Sequence, residues 1–108
     1  MKNYVCLIGR LGTDPEFKEV NKTTVCKLNL ATKKTWKDEN GIKKEHTEWH
    51  NVSVWGKLGE NSNKFLKKGS LVSVEGEINY KKVEGQKGYY VDIRANNVLF
   101  LDPVPTEF

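Results

Sequence analysis

Apolar and polar residues alternate with a period of two through most of this chain, and that pattern decides what the chain can fold into. Val52 and Val54 alternate with Asn51 and Ser53; Val72, Val74 and Ile78 alternate with Ser73, Glu75, Glu77 and Asn79; Cys26, Leu28 and Leu30 alternate with Lys27 and Asn29. Successive side chains of a strand point to opposite faces, so each stretch reads as a strand buried on one side and wet on the other. Asn40-Gly41 supplies the pair that a tight hairpin favours. Glu84-Gly85-Gln86-Lys87-Gly88 makes a second glycine-containing loop, between strand-like residues 78–82 and 89–93.

One segment departs from the rule. Leu58, Ser62, Phe65 and Leu66 fall at helical spacing, with Lys64, Lys67, Lys68 and Gly69 behind them. Cations and a glycine suit a helix C-terminus, through the dipole and the left-handed cap respectively, so the spacing predicts a short helix with those four residues inward. Five strands with one helix between the third and fourth is the order of the OB fold, an all-β, partly open Greek-key barrel. Residues 1–101 are read as that single domain, and 102–108 as a short C-terminal tail.

At 108 residues the chain has room for one modest core. Its longest apolar run, Val98-Leu99-Phe100-Leu101, is far short of the about 20 residues of a membrane span. The residues before Arg10 are too few for a secretion signal, so the protein is expected to stay in the compartment where it is made. Cys6 and Cys26 are accordingly read as reduced core residues rather than a bridge. A metal site of Cys6, Cys26, His46 and His50 would lack the close ligand pairs such sites use, and no metal or cofactor is expected.

The strand around Trp49 carries the functional signal. If Val52 and Val54 face the core, Trp49, Asn51, Ser53 and Trp55 project from the other face. Exposed large aromatics are uncommon in a monomer and mark a partner or a ligand with a flat apolar surface. Trp36 lies in the polar stretch Lys33-Lys34-Thr35-Trp36-Lys37, which offers it no core. Charge is clustered around these positions. Lys33, Lys34, Lys37, Lys43 and Lys44 outnumber Asp38 and Glu39; Lys57, Lys64, Lys67 and Lys68 outnumber Glu60; Lys81, Lys82, Lys87 and Arg94 outnumber Glu84 and Asp92. A lysine-rich loop is by itself usually a solvated surface. Lysines beside exposed rings, however, are what sequence-tolerant single-strand binding requires, since cations release counterions from phosphates while any base can stack on a ring. His50, on the valine side of the alternation, is read as a hydrogen-bonded core or interface residue. Asp14, Glu16 and Glu19 around Pro15 are read as a loop, and no paired carboxylates for hydrolysis are evident.

Ile8-Gly9-Arg10-Leu11-Gly12-Thr13-Asp14-Pro15-Glu16, Leu30-Ala31-Thr32, Thr47-Glu48-Trp49-His50 with Trp55-Gly56-Lys57-Leu58, and Leu66-Lys67-Lys68-Gly69-Ser70 with Val74-Glu75-Gly76 stand in order along the chain. In sequence and spacing they resemble the bacterial and mitochondrial single-stranded-DNA-binding proteins, over about residues 3–101. The resemblance implies an OB fold, a homotetramer without catalytic activity, and the coating of single-stranded DNA in replication, recombination and repair. It implies a cytoplasmic, nucleoid-associated protein, although short forms also occur in phages, mobile elements and organelles. Trp36, Trp49 and Trp55 fall on its base-stacking positions, the last usually Phe. Lys57 and Lys68 fall on positions that contact the DNA backbone, Lys81 where many members have Arg, and His50 on a histidine at the subunit interface. A fourth stacking aromatic is replaced by Val83, with Tyr80 as its substitute and Lys82 beside it. Where bacterial members continue into a long linker and an acidic tip, this sequence reads Asp102-Pro103-Val104-Pro105-Thr106-Glu107-Phe108. Glu107 and Phe108 resemble a reduced tip that would dock genome-maintenance proteins. Two other readings stay open: a dimeric OB-type interaction module, and a small nuclease, for which only Asp92 and Arg94 come near a catalytic cluster.

Overall fold

Strands with one wet face must roll up to bury the other, and here they do so by closing a ring. The computed structural model describes residues 1–103. Its elements are β1 (Val5–Leu11), β2 (Glu16–Val20), β3 (Thr23–Lys37), β4 (Lys43–Trp55), α1 (Gly56–Phe65), β5 (Leu71–Lys82) and β6 (Tyr89–Phe100). Pairing runs β1-β5-β6-β4-β3, and β3 returns to β1, so five strands form a closed circuit. All pairs are antiparallel except β4 with β6. This is the OB order, with α1 between the third and fourth strands of the circuit. The inward side chains of Leu28, Leu30, Val52, Val54, Val72, Val74 and Ile93 form the core, each no more than 4% exposed.

Three expectations need correction. Residues 16–20 are a sixth strand rather than a loop, pairing with the first half of β3 from Glu16↔Lys27 to Val20↔Thr23. Every residue of β2 is exposed, so the one-sided burial that marks the other strands is missing from its sequence. Cys6 is exposed while Cys26 is fully buried. Val5, Leu7 and Gly9 take the inward positions of β1 and leave Cys6 and Ile8 outside. Finally, α1 turns Gly59, Ser62 and Leu58 inward, with Leu66 capping the end, while Phe65 is 61% exposed beside Phe100. Gly59 lies so close to the barrel that a Cβ there would collide with the carbonyl oxygen of Val54. Ser62 satisfies its buried hydroxyl by donating to Leu58 O at 2.9 Å.

The β3–β4 and β5–β6 pairs outrun the ring. β3 and β4 stay in register without a shift from Val25↔Trp55 to Lys37↔Lys43, and β5–β6 continues to Lys82↔Tyr89. The radius of gyration is 16.1 Å, against about 13 Å for a compact chain of this length, because these two arms project. The Asn40-Gly41 hairpin closes the first arm, with Asp38 Oδ1 accepting from the amides of Asn40 and Ile42 at 2.9 Å.

Candidate nucleic-acid interface

Alternation along an unshifted pair of strands assigns every side chain to a face. On β4, Val52 and Val54 point into the barrel, and Trp49, Asn51, Ser53 and Trp55 point out. Trp49 is 59% exposed. Its ring lies across two small residues, Ala31 opposite it on β3 and Gly12 beyond. A Cβ at Gly12 would collide with Trp49 Cζ3 and stand 2.9 Å from Cη2, so the absent side chain is what lets the ring lie there. Beside it opens a cleft lined by Ile8, Arg10, Ala31, Lys33 and Thr47.

Trp55 is half-buried at the end of β4 and leans the other way, toward β6, where the Arg94 guanidinium sits 5.6 Å from its ring centroid. A cation over an indole is attracted by the ring quadrupole, and a guanidinium has the planar, forked shape that suits a phosphate or a base plane. Ser53, between the two indoles, is 1% exposed rather than open. It is a small residue flanked by its register neighbours Lys27 and Arg94, and its Oγ donates to Asp92 Oδ2 at 2.7 Å. Asp92 is itself buried, and Lys81 Nζ lies 3.7 Å from the same oxygen. The acid on this face is thus matched by a cation.

The same alternation separates Trp36 from the other two indoles. It shares its parity with Leu28, Leu30, Thr32 and Lys34, so it continues the core face of β3 past the barrel's end, where that face meets solvent. Trp36 is 44% exposed and lines one cleft with Lys34 and His46 and another with Thr35, Lys37 and Lys43. His46 pairs with Glu48 at 2.8 Å. Tyr80 is the counterpart on the second arm: 66% exposed, in line with Ile78, opposite Val91, and next on its face to Lys82 and Tyr89. Lys81 points the other way, with Tyr90 opposite.

The structure therefore groups the expected residues into two sets. Trp49, Trp55, Lys33 and Lys81 belong to the outer face; Trp36, Lys34, Tyr80 and Lys82 belong to the arms' continuation of the core face. Lys33 is partly spoken for by Glu45 at 2.9 Å, an exposed pair worth about 0–1 kcal/mol that salt readily screens. Lys37 is exposed near the first arm's tip, Lys57 in the first turn of α1, and Lys68 on the turn after it, where its amide donates to Asp14 Oδ1 at 2.8 Å. His50 is half-buried, with a ring nitrogen 2.8 Å from Thr32 Oγ1, so the hydrogen bond expected of it is present. Glu107 and Phe108 lie outside the described residues.

The sequence pattern did not mark Gly12, His46, Tyr89 or Tyr90 as part of this surface, and it marked Arg94 only within a charge cluster and beside Asp92. Counting outward from Ile93 would have placed Arg94 and Tyr90 on the indole face; Gly12 carries no local signal, because its constraint comes from a residue 37 positions away. Among the described residues no three His, Cys, Asp or Glu side chains are grouped to hold a metal. Among the described residues no helix is long and apolar enough to cross a membrane.

Residues 2–101 match the Single-strand binding protein family. The chain is 46% identical over 103 residues to the single-stranded DNA-binding protein of Neisseria meningitidis, which covers 92% of this chain and 59% of the relative. It is 45% identical over the same length to that of Xanthomonas axonopodis, at 92% and 57% coverage. Among solved structures, the Plasmodium falciparum SSB in complex with ssDNA superposes with a TM-score of 0.86 at 31% identity, covering 94% of this chain and 96% of that one. A deletion mutant of the Thermus aquaticus single-stranded DNA binding protein gives 0.82 at 32% identity, over 94% and 51%. The chain spans a little under three-fifths of the length of the bacterial relatives it matches, and with its OB circuit and outward indoles it belongs to the single-strand binding protein family.

Proposed function

We propose that this chain binds single-stranded DNA without sequence preference, protecting exposed strands in replication, recombination and repair. The observation that carries the reading is the pair of indoles on one outer face, Trp49 on its small-residue bed and Trp55 against Arg94, with lysines at the margins. Every base has a face to stack on a ring, and every nucleotide has a phosphate to meet a cation, so this surface reads the chemistry common to all sequences. A duplex hides its base faces and should gain only the electrostatic part. The solved Plasmodium relative is a complex with ssDNA, which supports the same reading.

Binding without catalysis fits the treatment of Asp92, which a serine and a lysine occupy. The strand would run over the outer face and reach Trp36, Tyr80, Lys34, Lys37 and Lys82 on the arms, with Lys57 and Lys68 meeting its backbone. Assembly is proposed to be a homotetramer with His50 near a subunit contact, working in the cytoplasm at the nucleoid. Glu107 and Phe108 are proposed to dock other genome-maintenance proteins.

Intrinsic tryptophan fluorescence, titrated with an unstructured oligonucleotide and with its duplex, tests the central claim. Strong quenching by the single strand alone is expected; equal quenching by both would remove stacking from the account. Light scattering distinguishes four subunits from two, and a labelled strand incubated with divalent metal should remain uncut.

A further inference from the structure

Ile93 is 4% exposed in the core, so Asp92 and Arg94, one residue to either side of it, and Tyr90, three residues before it, share the opposite, outer face of β6. The contacts agree, since Asp92 accepts from Ser53 and Arg94 covers Trp55, both outward residues of β4. Tyr90 carries this face onward from Arg94 toward the arm, about 13 Å along the strand. It is 41% exposed and stands outside the core cluster. Its partner across the ladder is Lys81, whose ammonium offsets Asp92 between Tyr90 and Arg94, so no unmatched carboxylate repels a phosphate there.

The parallel register adds a second coincidence. β4 and β6 pair from Asn51↔Asp92 to Val54↔Ala95. Two residues before the first rung come Trp49 on one strand and Tyr90 on the other. The two aromatics flank the point where the strand pairs part, both on the face already assigned to bases.

We propose that Tyr90 is a base-stacking residue, extending the track of Trp49, Trp55 and Arg94 along β6 onto the second arm. This rests on the reading of the outer face as a single-stranded DNA site. A phenol ring offers a stacking face without charge, so its contribution should not depend on salt, whereas that of Lys81 should.

The test compares wild type, Tyr90→Ala, Tyr90→Phe, Trp49→Ala and Lys81→Ala, titrated with oligo(dT) at several salt concentrations. Tyr90→Ala is expected to weaken binding by on the order of 5- to 100-fold with the salt slope unchanged, and Tyr90→Phe to bind like wild type. Lys81→Ala should lower the slope by about one. If Trp49→Ala loses affinity and Tyr90→Ala does not, Tyr90 is no stacking residue and the wider reading survives. If wild type itself fails to bind, both fall together. Photo-crosslinking of the wild-type chain to an oligonucleotide carrying 5-iododeoxyuridine needs no variant to fold. An adduct on Tyr90 supports the assignment, and adducts confined to other residues overturn it.

Discussion

Trp49 and Trp36 ride on the same two strands, yet they stand on different ground. Behind Trp49 the sheet is packed by Leu28, Leu30 and Val52, and the ring itself rests on Gly12 and Ala31. Trp36 lies on the face that those leucines occupy lower down, continued beyond the barrel until it meets solvent. One alternation thus produces two kinds of exposed aromatic surface: a platform braced by the core, and an arm on which the continuation of the core face meets solvent. If both rings meet DNA as proposed, the braced one should hold its pose beforehand, while the one on the projecting arm should gain order on binding.

The sharpest way to break this comparison is to remove the brace. Leu30→Ala should lower the unfolding free energy by about 2–5 kcal/mol in chemical denaturation, since the residue is fully buried. Trp36→Ala should change stability by no more than about 0.5 kcal/mol. A large loss from Trp36→Ala would mean that the arm is part of the core after all. Next come the rings as binders: Trp49→Ala and Trp55→Ala should each cost about 1–3 kcal/mol of single-strand affinity in fluorescence or anisotropy titration. Gly12→Val should mimic Trp49→Ala in binding without touching DNA, because it displaces the ring; normal binding by that variant would show the bed to be irrelevant.

A smaller effect concerns pH. Burial pushes the Cys26 thiol up to about 11 from an ordinary 9.0. The folded chain then holds a proton that the unfolded chain releases, so this group's contribution to stability falls as pH rises from about 9 to 11. Cys26→Ala should flatten that part of the denaturation profile relative to wild type, and parallel profiles would assign the alkaline loss elsewhere. Least of all, single lysine removals at Lys34 or Lys57 should each reduce the salt slope of binding by about one. An unchanged slope takes that lysine off the strand's path.

Much of this architecture is legible in the letters, because period-two burial is a local signal. The Val52/Val54 alternation announced both the inward core and the outward indoles. It failed where the reason for a residue's environment lies elsewhere in the fold. Ser53 reads as exposed and is buried, because Asp92 and the flanking long side chains come from or pair with other strands. β2 is silent because both of its faces are wet. Phe65 has the spacing of an inward helical residue, but Gly59 and Ser62 are small enough to bring that side of α1 against the barrel, and the ring is left beside Phe100. Trp36 was rightly given no core of its own. That it faces away from Trp49 follows only once the register is known to run unbroken to the hairpin.

The circuit of strands is fastened between β1 and β3 by the rungs Arg10↔Ala31 and Leu11↔Leu30, extended by a bond from the Gly12 amide to Asn29 O at 2.9 Å. That short latch adjoins the Ala31 and Gly12 bed beneath Trp49. The Ala31 amide should therefore trade its hydrogen with solvent sooner than amides deep in the β5–β6 ladder, and a nucleic acid laid across the latch would hold it shut.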